Sequence, residues 1–235
     1  MLNGIDVSHW DEMPLLDGID FVIIKATQGK NFIDPKMKMH ASSALQNGKL
    51  IGFYHFANED NDPEGNAKFF TSAVKDYLGK CILCLDWERE SSSNDATRQG
   101  ADYVLRWCSE VERITGVLPL VYMSKSVTYE YDFGNVVNGG YKLWVAKYPP
   151  VEHPTFTMAE SWGIPYVGNW GKPTIWQFCS DGYVNNSPSL YDLDVFYGNK
   201  KDFTDMMSVN GVYSESEWST VWENGEMRLQ MKAGA

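Results

Sequence analysis

Short apolar runs alternate with longer amphipathic stretches along most of this chain, and no other feature narrows its possible folds as much. Leu2–Val7, Phe21–Ala26, Leu50–Phe56 and Cys81–Glu88 read as strands. Between them, Pro35–Asn47 reads as a helix stopped by Gly48, and Pro63–Leu78 as a helix with proline near its start and Gly79 after its end. Asp95–Thr115 reads as a long helix stopped by Gly116. Leu120–Met123, Lys142–Tyr148, Thr174–Phe178 and Tyr191–Phe196 bring the strands to eight. Strand–helix alternation predicts a parallel sheet with right-handed crossovers. Eight such strands predict a single closed (β/α) barrel of the α/β class, TIM-barrel-like. Helix signals are weak between the later strands, so the second half is expected to be irregular. The barrel is assigned to residues 1–200. Residues 201–235 are polar and acidic, with Trp218 and Trp222, and read as a docking helix or a linker.

Charge and composition exclude several functions. The net charge of −11 argues against nucleic acid, whose phosphates call for clustered Lys and Arg. It also gives no electrostatic pull toward an anionic membrane or wall, so recognition of such a surface would rest on short-range contacts. No apolar stretch reaches the length of a membrane span. The opening Met1-Leu2-Asn3-Gly4-Ile5-Asp6 lacks a basic segment followed by a long apolar run. A secretory leader is therefore not expected in this sequence, and release would be of the phage type or follow leader removal. Aromatic residues reach 14%, with 9 Trp and 13 Tyr, which suits a site that stacks on sugar rings.

Cys81 and Cys84 form a C-x-x-C, but within an apolar strand their side chains point to opposite faces. With Cys108 and Cys179 they read as buried, inert thiols rather than a zinc or redox site. His9 and His55 have no ligand spacing around them, so no metal and no cofactor is expected. Ser8 and Ser124 lack a G-x-S-x-G elbow, which argues against a serine hydrolase.

Acids recur where a barrel places its chemistry, at the strand ends. Asp6 ends the first strand, Asp86 and Glu88 end the fourth, and Asp192 and Asp194 lie in the last. Asp86 and Glu88 are two apart on a strand, so they share a face at roughly 6.5–7 Å between Cα atoms. Carboxyls this close oppose each other's ionisation, so one can hold a proton while the other stays charged. Glycoside hydrolysis needs that division between an acid for the leaving oxygen and an anion facing the oxocarbenium-like centre. An isolated D-x-E equally reads as a solvated strand end; the acids of the first and last strands, neighbours in a closed barrel, favour a site.

A set of blocks in order resembles one known family. Gly4-Ile5-Asp6-Val7-Ser8-His9-Trp10, Phe21-Val22-Ile23-Ile24-Lys25-Ala26-Thr27-Gln28-Gly29 with Asp34-Pro35, and Gly52-Phe53-Tyr54-His55-Phe56 are similar to successive strands of the glycoside hydrolase family 25 (Chalaropsis-type) lysozymes. So are Leu85-Asp86-Trp87-Glu88, Trp144-Val145-Ala146, Trp176-Gln177-Phe178 and Tyr191-Asp192-Leu193-Asp194-Val195-Phe196. The blocks span about residues 3–198. Two positions depart from the family: Gln28 stands where Glu is usual, and Asp194 where Asn is common.

The resemblance implies an N-acetylmuramidase hydrolysing β-1,4 bonds between N-acetylmuramic acid and N-acetylglucosamine in peptidoglycan glycan strands. It implies Glu88 as general acid, Asp86 stabilising charge at the reacting sugar, and Asp6 and Asp192 positioning groups and keeping the proton on Glu88. Of the two acids in the closing motif, Asp192 is preferred for the site. Tyr54, Tyr122, Trp144 and Gln177 are expected to line the sugar cleft, and Lys25 to pair with a nearby acid. The protein is expected to act on the bacterial cell wall as a monomer. The alternatives are a glycan-binding module without catalysis, and a hydrolase of a related N-acetylglucosamine polymer such as chitin.

Overall fold

The computed structural model describes residues 1–91, 94–185, 187–208, 218–223 and 226–231. Eight strands close a barrel: β1 (Leu2–Val7), β2 (Phe21–Gln28), β3 (Leu50–Phe56), β4 (Cys81–Asp86), β5 (Leu120–Ser124), β6 (Lys142–Ala146), β7 (Ile175–Tyr183) and β8 (Leu190–Phe196). Pairing runs in sequence order from β1 to β8, and β8 returns to pair with β1. β1 to β7 are mutually parallel. β8 is antiparallel to both its neighbours, so the expectation of a wholly parallel sheet is corrected at this strand. β7 runs five residues past its expected end, so six residues join it to β8. So short a link makes a hairpin and leaves no length for a crossover helix.

Helices cover the outside of the first half. α1 (Met37–Gln46), α2 (Pro63–Ala73) and α3 (Ala101–Thr115) follow β2, β3 and β4. Asp62 caps α2 by accepting from the Gly65 N–H at 3.1 Å, and Pro63 fills the first turn, where its missing N–H costs nothing. The expected long helix from Asp95 is in fact a 3₁₀ turn, Ala96–Gln99, then α3, divided at Gly100 with φ +76°. α3 buries Tyr103, Val104, Trp107, Cys108 and Val111, a 3.6-period stripe, and Gly116 ends it in the left-handed region. Among the described residues the later connections carry a 3₁₀ turn, Val127–Tyr129, and two short helices, α4 (Gly134–Asn138) and α5 (Phe156–Ser161), which makes the second half irregular, as the sequence predicts.

Alternation along each strand produces two apolar layers. Outward residues such as Val22, Ile24, Phe53, Leu83, Leu85 and Val121 pack beneath the helices. Inward residues Leu2, Phe21, Ile82, Leu120, Ile175 and Phe196 fill the lower lumen. α6 (Lys200–Asp205), begun by an Asn199–Asp202 capping box, closes that pole. Its Phe203 lies 5.1 Å from the Phe21 ring and 5.2 Å from Phe196. Beyond α6, Trp218–Glu223 and Glu226–Met231 pair as an antiparallel hairpin, the second strand lying beside α3. Cys81 belongs to the outer layer and Cys84 to the lumen, so the two thiols diverge as their spacing predicts.

Candidate active site

Because the lower lumen is apolar and sealed, polar side chains collect at the opposite pole, where β1 to β7 end. Reversal of β8 puts its beginning there, so Asp192 is the register partner of Asp6, and Asp194, one step deeper, faces Gly4. Both acids of the closing motif therefore face inward, at two depths. Asp192 is half-buried and Asp194 fully buried. A side chain at Gly4 would strike the Phe21 ring, its Cβ lying 2.2 Å from the nearest ring carbon, so glycine here makes room for that ring in the lumen.

β4 ends at Asp86, two residues earlier than expected, but the in–out alternation persists. Trp87 turns outward and is fully buried against Tyr131 and Phe133. Glu88 returns to the inner side, half-buried. It lines a cleft of about 340 Å³ with Tyr122, Ser124, Lys125, Ser126, Ala146 and Tyr148. That volume lies at the small end of the range for ligand pockets, on the order of 300–1,000 Å³.

Under the cleft runs a continuous hydrogen-bond network. Gln177 donates from Nε2 to Asp6 Oδ2 at 2.7 Å, and its Oε1 accepts from Tyr122 at 2.8 Å and Tyr148 at 2.7 Å. Trp144 donates from Nε1 to Asp194 Oδ1 at 2.7 Å. Two hydroxyls on one oxygen and a carboxyl on the nitrogen fix which way the Gln177 amide faces.

Burial holds protons on these acids. Asp192 is raised to about 9, mainly by burial and then by Asp6, Asp11 and Glu88. Asp6 is raised well above the carboxylate range by burial and by Asp194, against the opposing hydrogen bond from Gln177. Asp194 is raised by burial, against the Trp144 donor. Tyr54 and Tyr122 are pushed up by burial and by the carboxyls around them, so they remain phenols and donors. The mouth thus carries less negative charge than its count of carboxyls suggests.

The structure brings all four expected carboxyls to one pole. Tyr54, Tyr122, Trp144 and Gln177 are there too, but they are 8%, 7%, 2% and 3% exposed, so they form the floor of the site more than its walls. Trp144 packs against Tyr122 with centroids 4.5 Å apart and serves Asp194 from below. Tyr148 is an addition that the residue-by-residue reading passed over, and Asp194, which that reading set second to Asp192, lies at this pole as well. Each lies two residues from a predicted one, or at twice that step, on the same face (Trp144, Ala146, Tyr148; Asp192, Asp194), which was the available signal. Lys25 reaches Gln28 Oε1 at 2.8 Å and sits 4.5 Å from the Phe56 ring centre. Gln28 thus accepts from a cation where the usual Glu would add a charge. His55 lies outside the lumen, stacked on Trp107 and bonded to Thr27 at 2.8 Å. His9 is held by the buried Asp34 at 2.8 Å. Among the described residues no cluster of His, Cys, Asp and Glu is arranged to hold a metal ion. Nor is any described helix long and apolar enough to cross a membrane.

This arrangement agrees with comparison to known proteins. The family model of glycosyl hydrolases family 25 matches residues 5–187. The chain belongs to that family. It is therefore a glycoside hydrolase of the lysozyme kind. The chain is similar to the uncharacterized protein YegX of Escherichia coli K12, with 28% identity over 207 residues, 84% of this chain and 70% of YegX. It is similar to the N,O-diacetylmuramidase of Chalaropsis, with 28% identity over 178 residues, 71% of this chain and 80% of that enzyme. In fold it is similar to a lysozyme from Streptomyces coelicolor, with a TM-score of 0.71 at 22% identity, over 88% of this chain and 96% of that one. The family-25 match ends at residue 187, before β8, and the register of β8 against β1 brings Asp192 and Asp194 to the same pole.

Proposed function

We propose that this family-25 hydrolase cleaves β-1,4 bonds between N-acetylmuramic acid and N-acetylglucosamine in bacterial peptidoglycan. The observation that carries the reading is the position of Glu88. It stands on the wall of an open cleft, beside Tyr122 and Tyr148, and close enough to Asp192 to raise that carboxyl. Glu88 is the general acid that protonates the leaving glycosidic oxygen. Asp86, at the end of the same strand and on the same side, stabilises the positive charge that builds at the reacting sugar. Asp6 and Asp192 orient the groups around them through hydrogen bonds, and Tyr54, Tyr122, Trp144 and Gln177 shape the floor on which the sugar rests.

The similarity to an N,O-diacetylmuramidase supports the muramic acid specificity. The place of action is the bacterial cell wall, and the partner is its glycan strand. We infer that the enzyme works as a monomer. Residues 1–200 form the catalytic unit on this reading, with residues 201–235 appended to it.

The test is digestion of purified peptidoglycan beside a chitin control, followed by borohydride reduction and mass analysis. Cleavage at the proposed bond leaves N-acetylmuramic acid at the new reducing ends. Reduced N-acetylglucosamine at those ends, or equal release from chitin, would overturn the bond assignment.

A further inference from the structure

Asp194 occupies a position that only a shared proton satisfies. It is fully buried, and Trp144 satisfies its Oδ1. Its Oδ2 receives no N–H or hydroxyl. The Asp6 carboxyl lies within hydrogen-bonding reach. The partners of Asp6 are equally defined, with Oδ2 taken by the Gln177 amide. Two carboxylates cannot both stay charged in so dry a place, whereas a carboxyl donating to a carboxylate satisfies every oxygen in view.

We propose that Asp194 and Asp6 form one buried acid pair that shares a proton and, through Gln177, positions Tyr122 and Tyr148 beside Glu88. Asp194 is then a positioning residue that touches no substrate. The role rests on the site assigned above. The path is continuous: Trp144 to Asp194, Asp194 to Asp6, Asp6 to Gln177, and Gln177 to both tyrosines. An amide at position 194 could not ionise, so the acid here gives the floor a group that can.

Other titratable groups face the pair from each neighbouring strand. Asp192 lies beside Asp6 on β8, Cys84 and Asp86 come from β4, and Cys179 from β7. Tyr54 projects from β3, Lys25 lies on β2, and Asp11 follows β1. Burial keeps both thiols and the phenol neutral, so the acids alone titrate in the working range.

The decisive variant is Asp194→Asn in the full chain. Asparagine has the same shape, accepts from Trp144 through its oxygen and donates to Asp6 through its nitrogen, so only the shared proton is removed. While both carboxyls hold one proton they attract; once it leaves they repel and pull Gln177 from its place. The expected result is a smaller fall in Tm between pH 5 and 9 than in the parent protein. The alkaline limb of kcat/KM on purified walls should also move up by about one pH unit, a tenfold gain at fixed pH on that limb. Superimposable Tm profiles would overturn the shared proton. A flattened Tm profile with an unmoved alkaline limb would overturn the positioning role. Should Asp194→Asn not fold, Asp6→Asn removes the same proton from the other side and must flatten the Tm profile alike. The Tm comparison needs no activity, so it separates failure of this pair from failure of the muramidase assignment.

Discussion

Asp6 and Asp192 stand directly opposite each other as register partners across the antiparallel β1–β8 pair, two carboxyls held at one end of a sealed lumen. Their closeness has a consequence for stability. Asp192 keeps its proton in the folded protein up to about 9 and releases it near its ordinary value of 3.8 when unfolded. Between those values the folded state binds more protons, so raising pH weakens it. The contribution is complete below about pH 4 and lost as pH passes 9. Denaturant midpoints measured at pH 5, 7 and 9 should fall in that order, and Asp192→Asn should flatten the series. A midpoint rising from pH 7 to 9 would contradict the burial argument.

Removing the acid on the cleft wall should stop chemistry without disturbing the fold. Glu88 is half-buried and lies beyond the last hydrogen-bonded residue of β4, so Glu88→Gln leaves packing intact. Loss of a general acid costs about 10²–10⁴-fold in rate. Clearing of wall suspensions should drop by that much while Tm stays within a few degrees. Retained clearing would refute the role given to Glu88.

Gln177 holds three polar groups at once. Gln177→Leu strips a donor from Asp6 and an acceptor from both Tyr122 and Tyr148. Leaving buried polar groups without partners costs about 1–3 kcal/mol for each one stranded. Urea denaturation should show a loss in that range or above it. Asp6 should also rise further, because the Gln177 bond is what opposes its burial.

Phe203 seals the pole away from the chemistry. It is fully buried and meets Phe21 and Phe196 edge-on or tilted. Phe203→Ala should cost about 3–5 kcal/mol of unfolding free energy. Activity per folded molecule should persist, since none of the cleft residues touches this ring. Calorimetry alongside activity measured well below the new Tm distinguishes the two effects.

Much of this was legible in the residues. The eight apolar runs located eight strands, and the in–out period placed Asp6, Asp86, Glu88 and Asp192 on inner faces. The direction of β8 was not legible, because a period of two reads the same both ways along a strand. The telling quantity was the length of the link before it, and the exposed residues that extend β7 to Tyr183 hid that length. The different depths of Asp192 and Asp194 were not legible for a related reason. Both share a face, and only the reversed register shows that one lies at the mouth and the other beneath it. Trp144 read as lining the sugar cleft because it lies near a strand end in a block that resembles the family. Its burial follows from Tyr54 and Tyr122 crowding over it, a packing fact no single-strand pattern carries.

The reversed last strand also decides where cargo can be attached. Leu2 opens β1 at the sealed pole, and Phe196, its register partner, closes β8 at the same pole. A fusion tag, an anchoring peptide or an immobilisation handle joined ahead of Leu2 therefore starts on the far side of the molecule from Glu88. Tethering the enzyme to a bead or a coating by such a handle leaves its cutting edge pointing outward.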